Sequence, residues 1–325
     1  MGAGYIMALL SDPVNELGRS GRRIPMQRDL IGYGKNIPRI EWPGGARIAV
    51  SLVVNYEEGA EYSTLDGDPH HETNGEVPSP VPPQDRDLNN ESFFEYGSRV
   101  GVWRLLDMFR RHGVSSTFFC CALALERNPE VAREIPAQGH EVCGHGYRWE
   151  EYHLKDIDAE REAIAKTVSS LERTTGERPV GWFTRYGPSL NTRDLVVDEG
   201  GFIYDSAGLN DDLPYYVEAR GKPWLVVPYS METNDARFWR GGLVSVNDFY
   251  EYLRETFDCL YEEGENRPKM MSVGLHCRIA GRPARSRAVD RFLSYAKGFS
   301  GVWFARRDEI ARWWLEHYPP GTLQT

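Results

Sequence analysis

The stretch M-M-S-V-G-L-H-C-R-I-A-G-R, residues 270–282, decides how the chain is read. Its apolar run from Met270 to Leu275 ends on His276, Cys277 and Arg278, followed by the backbone-permissive Gly281 and by Pro283. A buried strand that delivers a histidine to its C-terminal edge has this pattern, and in α/β folds that edge is where side chains are free for chemistry. Three other strand-like runs end alike. Residues 47–54 lead into Asn55, Tyr56, Glu57 and Glu58, residues 141–144 into His145, and residues 180–183 into Thr184 and Arg185. Two carboxylates, two histidines and an arginine therefore converge on four strand ends.

The rest of the chain alternates in the same sense. Further strands are expected at 116–121, 202–205, 225–228 and 302–305. Helices are expected at 96–111, 128–137, 156–174, 192–198, 246–263, 286–297 and 307–317, where apolar residues recur at helical spacing. Strand–helix alternation implies parallel strands covered by helices, and seven or eight such units imply an α/β barrel built as a single domain. Residues 28–325 form that barrel domain in this reading. Residues 1–27 lack sustained periodicity and are read as an N-terminal arm. The segment 59–90, with five prolines and few apolar residues, is a long loop of the kind that serves function or packs on a partner.

Composition narrows the function classes. The 325 residues carry a net charge of -10, which argues against nucleic acid or an anionic membrane as partner. No apolar run is long enough for a membrane span, and the N-terminus lacks a convincing signal peptide, so a cytoplasmic location is expected. Five cysteines without C-x-x-C spacing suggest neither a disulfide framework nor a zinc ribbon.

The pair Glu57-Glu58 follows a buried strand and precedes Gly59. Neighbouring strand residues point to opposite faces, so a turn is expected to bring both acids to the site. His145 lies between Gly144 and Gly146, which lets a backbone or ligand come close.

These pieces, in this order, resemble the polysaccharide deacetylase-like superfamily, whose fold is a distorted parallel (β/α) barrel. The motif positions are Asn55–Gly59, Gly144–Trp149, Arg185–Pro188 and Val273–His276. The resemblance implies a divalent metal held by the second acid and two histidines four residues apart. Here those positions carry Glu58, His145 and Trp149, and tryptophan cannot ligate zinc. The expectation is a site without metal or other cofactor, with room only for an adventitious divalent ion near Glu58 and His145. This variant pattern resembles one branch, the cofactor-independent allantoinases with their fungal chitin-deacetylase relatives. That likeness runs from about residue 28 to 318 and includes E-S-F-F-E-Y-G at 91–97 and V-P-Y-S-M-E-T-N-D-A-R-F at 227–238.

The resemblance implies hydrolysis of a non-peptide carbon–nitrogen bond, with ring opening of a small cyclic ureide or imide as the leading reading. Glu57 is the expected general base, with one of the two acids raised toward neutrality by crowding and burial. His276 is the expected acid, and His145 binds the ring carbonyl or orients the acids. Arg185 holds the acids or a substrate oxygen in a fork, and Asp205 either orients His276 or caps its strand. Trp149 would wall the pocket, with Tyr56, Asn234, Asp235, Arg237 and Arg278 as further substrate contacts. N-deacetylation of an N-acetyl sugar, and a non-catalytic binding role on the same barrel, are the alternatives. Relatives of this kind oligomerise, so a homodimer or homotetramer is expected.

Overall fold

The computed structural model describes residues 28–74, 78–185 and 187–323. The N-terminal arm expected over 1–27 lies outside them. Residues 33–325 make one compact unit. Its framework is a nine-stranded sheet: β1 Ile48–Tyr56, β2 Thr117–Cys120, β3 Glu141–Gly144, β4 Gly181–Trp182, β5 Tyr204–Asp205, β6 Tyr215–Ala219, β7 Lys222–Val226, β8 Lys269–His276 and β9 Val302–Phe304. The order is β6-β7-β5-β4-β3-β2-β1-β8, with β9 added to β1 beside its first residues. All neighbours are parallel except β6 and β7.

The sheet curls into a half-barrel rather than closing strand to strand. Its open seam lies along β8, where loops take the place of a second neighbouring strand. Gly274 N–H donates to the Thr233 carbonyl at 3.1 Å, Asp235 N–H donates to the Gly274 carbonyl at 2.9 Å, and Met270 N–H donates to the Asp212 carbonyl at 2.9 Å. These bonds satisfy an edge that would otherwise leave donors and acceptors unpaired in a buried place. They also bring Asn234 and Asp235 alongside the end of β8.

Alternation along the strands sorts the core. Even residues of β1, Ile48 to Tyr56, join odd residues of β8 (Met271, Val273, Leu275) and the covering helices in one apolar cluster. Odd residues Ala49 and Val53 join Phe119, Cys143, Tyr229 and Met270 in a second cluster inside the half-barrel. Every residue of β1 and β8 is buried. Burying a Val, Leu or Ile side chain is worth roughly 1.5–3 kcal/mol, so these two strands anchor the domain. The helix Arg307–His317 closes the end of the half-barrel opposite the strand C-termini. Buried Arg307 donates to Ser206 Oγ, Ser272 Oγ and the Pro228 carbonyl, while Asp308 N–H reaches Glu141 Oε2.

The sequence reading differs from the structure at several places, among them an unanticipated helix Ala122–Arg127 after β2. Strand β6 was not anticipated. It forms with β7 a hairpin whose turn residues, Arg220 (φ 52°) and Gly221 (φ 69°), are both left-handed, as two-residue hairpin turns require. Strand β7 consequently begins at Lys222 rather than 225. The helix expected at 96–111 is also longer and interrupted: Leu88–Tyr96, a π-helical turn Gly97–Gly101, then Val102–His112. Asp87 caps its start by accepting N–H bonds from Asn89 and Asn90, so the expected loop ends before residue 90.

Candidate active site

Strand register brings the chemistry together. Asn55 on β1 is level with His276 on β8 and Phe119 on β2, and Phe119 is level with Cys143 on β3. Two residues past Asn55 and Cys143, on the same interior face, come Glu57 and His145. Glu57 is buried between three cationic or ionisable partners. His145 Nε2 is 3.2 Å from its Oε1, His276 Nε2 is 3.8 Å from the same oxygen, and Arg278 Nη1 is 2.7 Å from Oε2. His145 Nδ1 donates to the Phe183 carbonyl at 2.9 Å, which fixes the ring and turns Nε2 toward Glu57.

His276 is held on its far side by Asp235. Its Nδ1 lies 2.6 Å from Asp235 Oδ1, and Asp235 Oδ2 accepts the backbone N–H of His276 at 2.8 Å and of Ala280 at 3.0 Å. The partner expected for His276, Asp205, is elsewhere. It binds Arg193 through two hydrogen bonds of 2.7 and 3.1 Å and accepts the Trp224 indole N–H at 2.7 Å. β5, which carries Asp205, is separated from β1 by three strands, whereas the seam loop carrying Asp235 runs beside β8 itself.

The two acids do not end on the same side. Glu58 keeps the even-numbered face of β1, with its carboxylate against Gly97 of the π-helical turn, where a Cβ would overlap it. It accepts N–H bonds from Glu57 and Arg278, both at 3.1 Å, and Arg278 Nη1 lies 3.5 Å away. Arg278 therefore spans both acids. Their charge states are pushed apart. Burial alone would raise Glu57, but Arg278, His276 and His145 outweigh it and hold Glu57 well below the usual carboxylate range. Glu58 is raised by burial and by Glu57, with Arg278 only partly offsetting this. The acid raised by crowding is thus Glu58, and Glu57 stays ionised. Glu61, which the sequence reading passed over, is raised by burial to about 7 despite the Gly59 N–H that its carboxylate accepts.

The walls are aromatic. The Arg278 guanidinium lies 4.5 Å from the Phe94 ring centre, 5.1 Å from Trp149 and 5.4 Å from Trp239, and Trp239 is 5.7 Å from His276. Phe183 stacks on His145 at 5.4 Å. Phe94 lies within the 91–97 motif of the resemblance but was given no site role, and Trp239, in a four-residue helix just past the 227–238 motif, was not singled out.

Several candidates fall outside this cluster. Arg185 makes its fork with Glu72 of the long loop, at 2.8 and 2.9 Å, and stacks 3.6 Å from Trp149. It fixes the loop and the tryptophan rather than Glu57 or Glu58. Tyr56 points to the helix layer, its hydroxyl 2.9 Å from Ser98 Oγ. Asn234 donates to the Tyr229 hydroxyl and accepts from Ala236 N–H, shaping the turn before Asp235. Arg237 packs on Tyr252 and donates to the Glu232 carbonyl.

Comparison with known proteins agrees with this architecture. Residues 92–202 match the Polysaccharide deacetylase family model. A Schizosaccharomyces pombe protein named "Putative polysaccharide deacetylase" is 40% identical over 90% of this chain and 98% of its own length. The chain belongs to the polysaccharide deacetylase family. Among solved structures, a probable polysaccharide deacetylase from Pseudomonas aeruginosa PAO1 is 50% identical, with a TM-score of 0.86, over 90% of this chain and 99% of that one. PuuE allantoinase is 48% identical, with a TM-score of 0.87, over 91% and 99%. The family thus contains hydrolases of carbon–nitrogen bonds with this same half-barrel.

The family's divalent metal can be tested against the residues present. The positions that would hold it are Glu58, His145 and Trp149. Trp149 offers no lone pair, His145 faces Glu57 while Glu58 faces Arg278, and a fixed cation already bonds both acids. Among the described residues, no three His, Cys, Asp or Glu side chains gather as metal ligands. The donor set does not fit a divalent ion.

Proposed function

We propose that this chain hydrolyses a carbon–nitrogen bond of a small cyclic ureide or imide, with allantoin ring opening as the leading reaction, by acid–base catalysis without a metal. The observation that carries this reading is the Glu57 carboxylate set between His145, His276 and Arg278, with Trp149, Trp239 and Phe94 around the Arg278 guanidinium. A flat, carbonyl-rich ring suits aromatic walls and convergent polar groups. The 48% identity with PuuE allantoinase over nearly the whole of both chains supports the same substrate class.

In the proposed mechanism, water attacks a ring carbonyl carbon while Glu57 takes a water proton. Negative charge then moves from Glu57 to the tetrahedral oxyanion. The positive groups that hold Glu57 ionised stand within reach of that charge, and fixed donors of this kind stabilise it without reorganising. The C–N bond breaks as His276 Nε2 gives a proton to the leaving nitrogen. Asp235, accepting from Nδ1, stabilises the imidazolium that supplies it. The products are a carboxyl group and a ring-opened N–H.

A second reading, N-deacetylation of an N-acetyl sugar, has the Pseudomonas and fission-yeast relatives in its favour. Assay of purified protein on allantoin and on a chitooligosaccharide, before and after exhaustive chelation, separates the two. Allantoin turnover that survives chelation supports the proposal. Acetate release from the sugar, abolished by chelation and restored by zinc, would replace it with the deacetylase reading.

A further inference from the structure

We propose that the Arg278 guanidinium is the resident cation of this site, standing in, with a single positive charge, for the divalent ion that the family's metal-dependent pattern implies. The inference rests on the acid–base reading above and deepens it. Three observations carry it, none of which needs a substrate.

Arg278 is the residue that reaches both acids, with Nη1 at 2.7 Å from Glu57 and 3.5 Å from Glu58, and with its own backbone N–H on Glu58 at 3.1 Å. It is 3% exposed, so its charge acts in a medium where Coulomb energies are several-fold larger than in water. Its planar face is enclosed by Phe94, Trp149 and Trp239, an aromatic surround that suits a weakly hydrated guanidinium. Trp149 is the residue standing where the second ligand histidine would be. The exchange of histidine for tryptophan and the seating of an arginine are thus one change: the ring that cannot ligate a metal forms a wall for the cation that replaces it.

The backbone has been shaped to admit this cation. Arg278 sits in the turn after β8, and the Cys277 carbonyl presses on Gly101, where any Cβ would collide with it. Gly97 gives the same clearance to the Glu58 carboxylate. Both glycines frame the π-helical turn Gly97–Gly101, so the irregular helix and the Arg278–Glu58 contact are parts of one fitted arrangement. Unlike a metal ion, a guanidinium offers only N–H donors and no coordination site, and it cannot be removed by chelation or exchanged.

The test uses the full chain and its Trp149→His, Arg278→Lys, Arg278→Met and Trp149→His/Arg278→Met variants, with zinc calorimetry and allantoin turnover as readouts. Native protein and Trp149→His are expected to take up no stoichiometric zinc, because the cation remains. The double variant, with the charge gone and a histidine supplied, is expected to bind one zinc per chain. Turnover should fall at least 100-fold in Arg278→Met, mainly in kcat, and about tenfold in Arg278→Lys, which keeps the charge but loses the planar guanidinium seated among the aromatic rings. Stoichiometric zinc in the native chain or in Trp149→His would overturn the proposal, as would its absence from a folded double variant. Full activity in Arg278→Met would also overturn it. If Arg278→Met does not fold, Arg278→Lys and Trp149→His still decide. Failure of the native chain to open any ureide would refute the proposed function instead, and the zinc measurements would still judge Arg278.

Discussion

Asp235 and His276 are 41 residues apart in sequence and are joined by a 2.6 Å contact between Oδ1 and Nδ1, with the second carboxylate oxygen accepting the backbone N–H groups of His276, at the end of β8, and of Ala280, in the turn after it. One side chain thus fixes both the ring of His276 and the backbone that carries it. Asp235→Asn should keep the fold but weaken the support for the imidazolium. The expected result is a kcat lower by on the order of 10²- to 10⁴-fold with KM little changed. An unchanged kcat would remove His276 from the mechanism.

Glu57→Gln should be nearly inactive, again by on the order of 10²- to 10⁴-fold, since it removes the basic carboxylate charge that faces His145, His276 and Arg278. Stability should fall as well, because buried Arg278 loses the carboxylate charge that its own charge holds ionised. Steady-state kinetics and urea unfolding on the same sample separate the two effects. A variant that unfolds easily but turns over normally would contradict the assignment.

Arg185 and Glu72 form a buried bidentate pair that ties the long loop to Trp149. Removing one partner leaves the other charge buried. Arg185→Met should therefore cost roughly 3–5 kcal/mol in unfolding free energy. Protease cleavage is expected to appear within residues 59–87 at concentrations that spare the native chain. Loss of activity without loss of stability would instead place Arg185 in the chemistry.

Glu141, at the closed end of the half-barrel, predicts a pH dependence of stability. Burial and the nearby Asp308 raise it to about 7, against the hydrogen bonds from Thr117, Asp308 N–H and Tyr204. A raised folded value means that the native state binds the proton more tightly than the unfolded state. The stabilisation is complete below the unfolded carboxylate range and is lost as pH rises through about 7. The swing is about 3 kcal/mol at most. Urea unfolding at about pH 5 and pH 8 should show a larger loss for the native chain than for Glu141→Gln. Equal losses would refute it.

Gly97→Ala introduces a methyl group into the space held by the Glu58 carboxylate. Overpacking of this kind typically costs about 1–3 kcal/mol. The same substitution should lower turnover, because Glu58 and Arg278 move together. Alanine tolerated with native kinetics would mean that the π-helical turn is not fitted to the site.

Strand–helix alternation, the buried runs of β1 and β8, and the acids and histidines at their ends were legible in the sequence, because hydrophobic periodicity and strand termini are local properties of the chain. The face each acid takes was not: the reading brought both Glu57 and Glu58 to the site, whereas Glu58 keeps the opposite face of β1, against Gly97. The hairpin β6–β7 escaped notice, since Tyr215–Ala219 is only half-buried and its turn signal, Arg220-Gly221, is weak. Which carboxylate serves His276 was not readable, because Asp205 and Asp235 both follow strand-like runs. Only the open seam of the half-barrel, closed by a loop instead of a strand, sets Asp235 against β8 and leaves Asp205 to Arg193. The fate of the two arginines was likewise tertiary: Arg185 is claimed by Glu72 from a distant loop, and Arg278 by two acids lying on opposite faces of β1. Local sequence determined which groups reach the strand ends, and three-dimensional packing decided their partners, because charge pairing depends on distance through space and not along the chain.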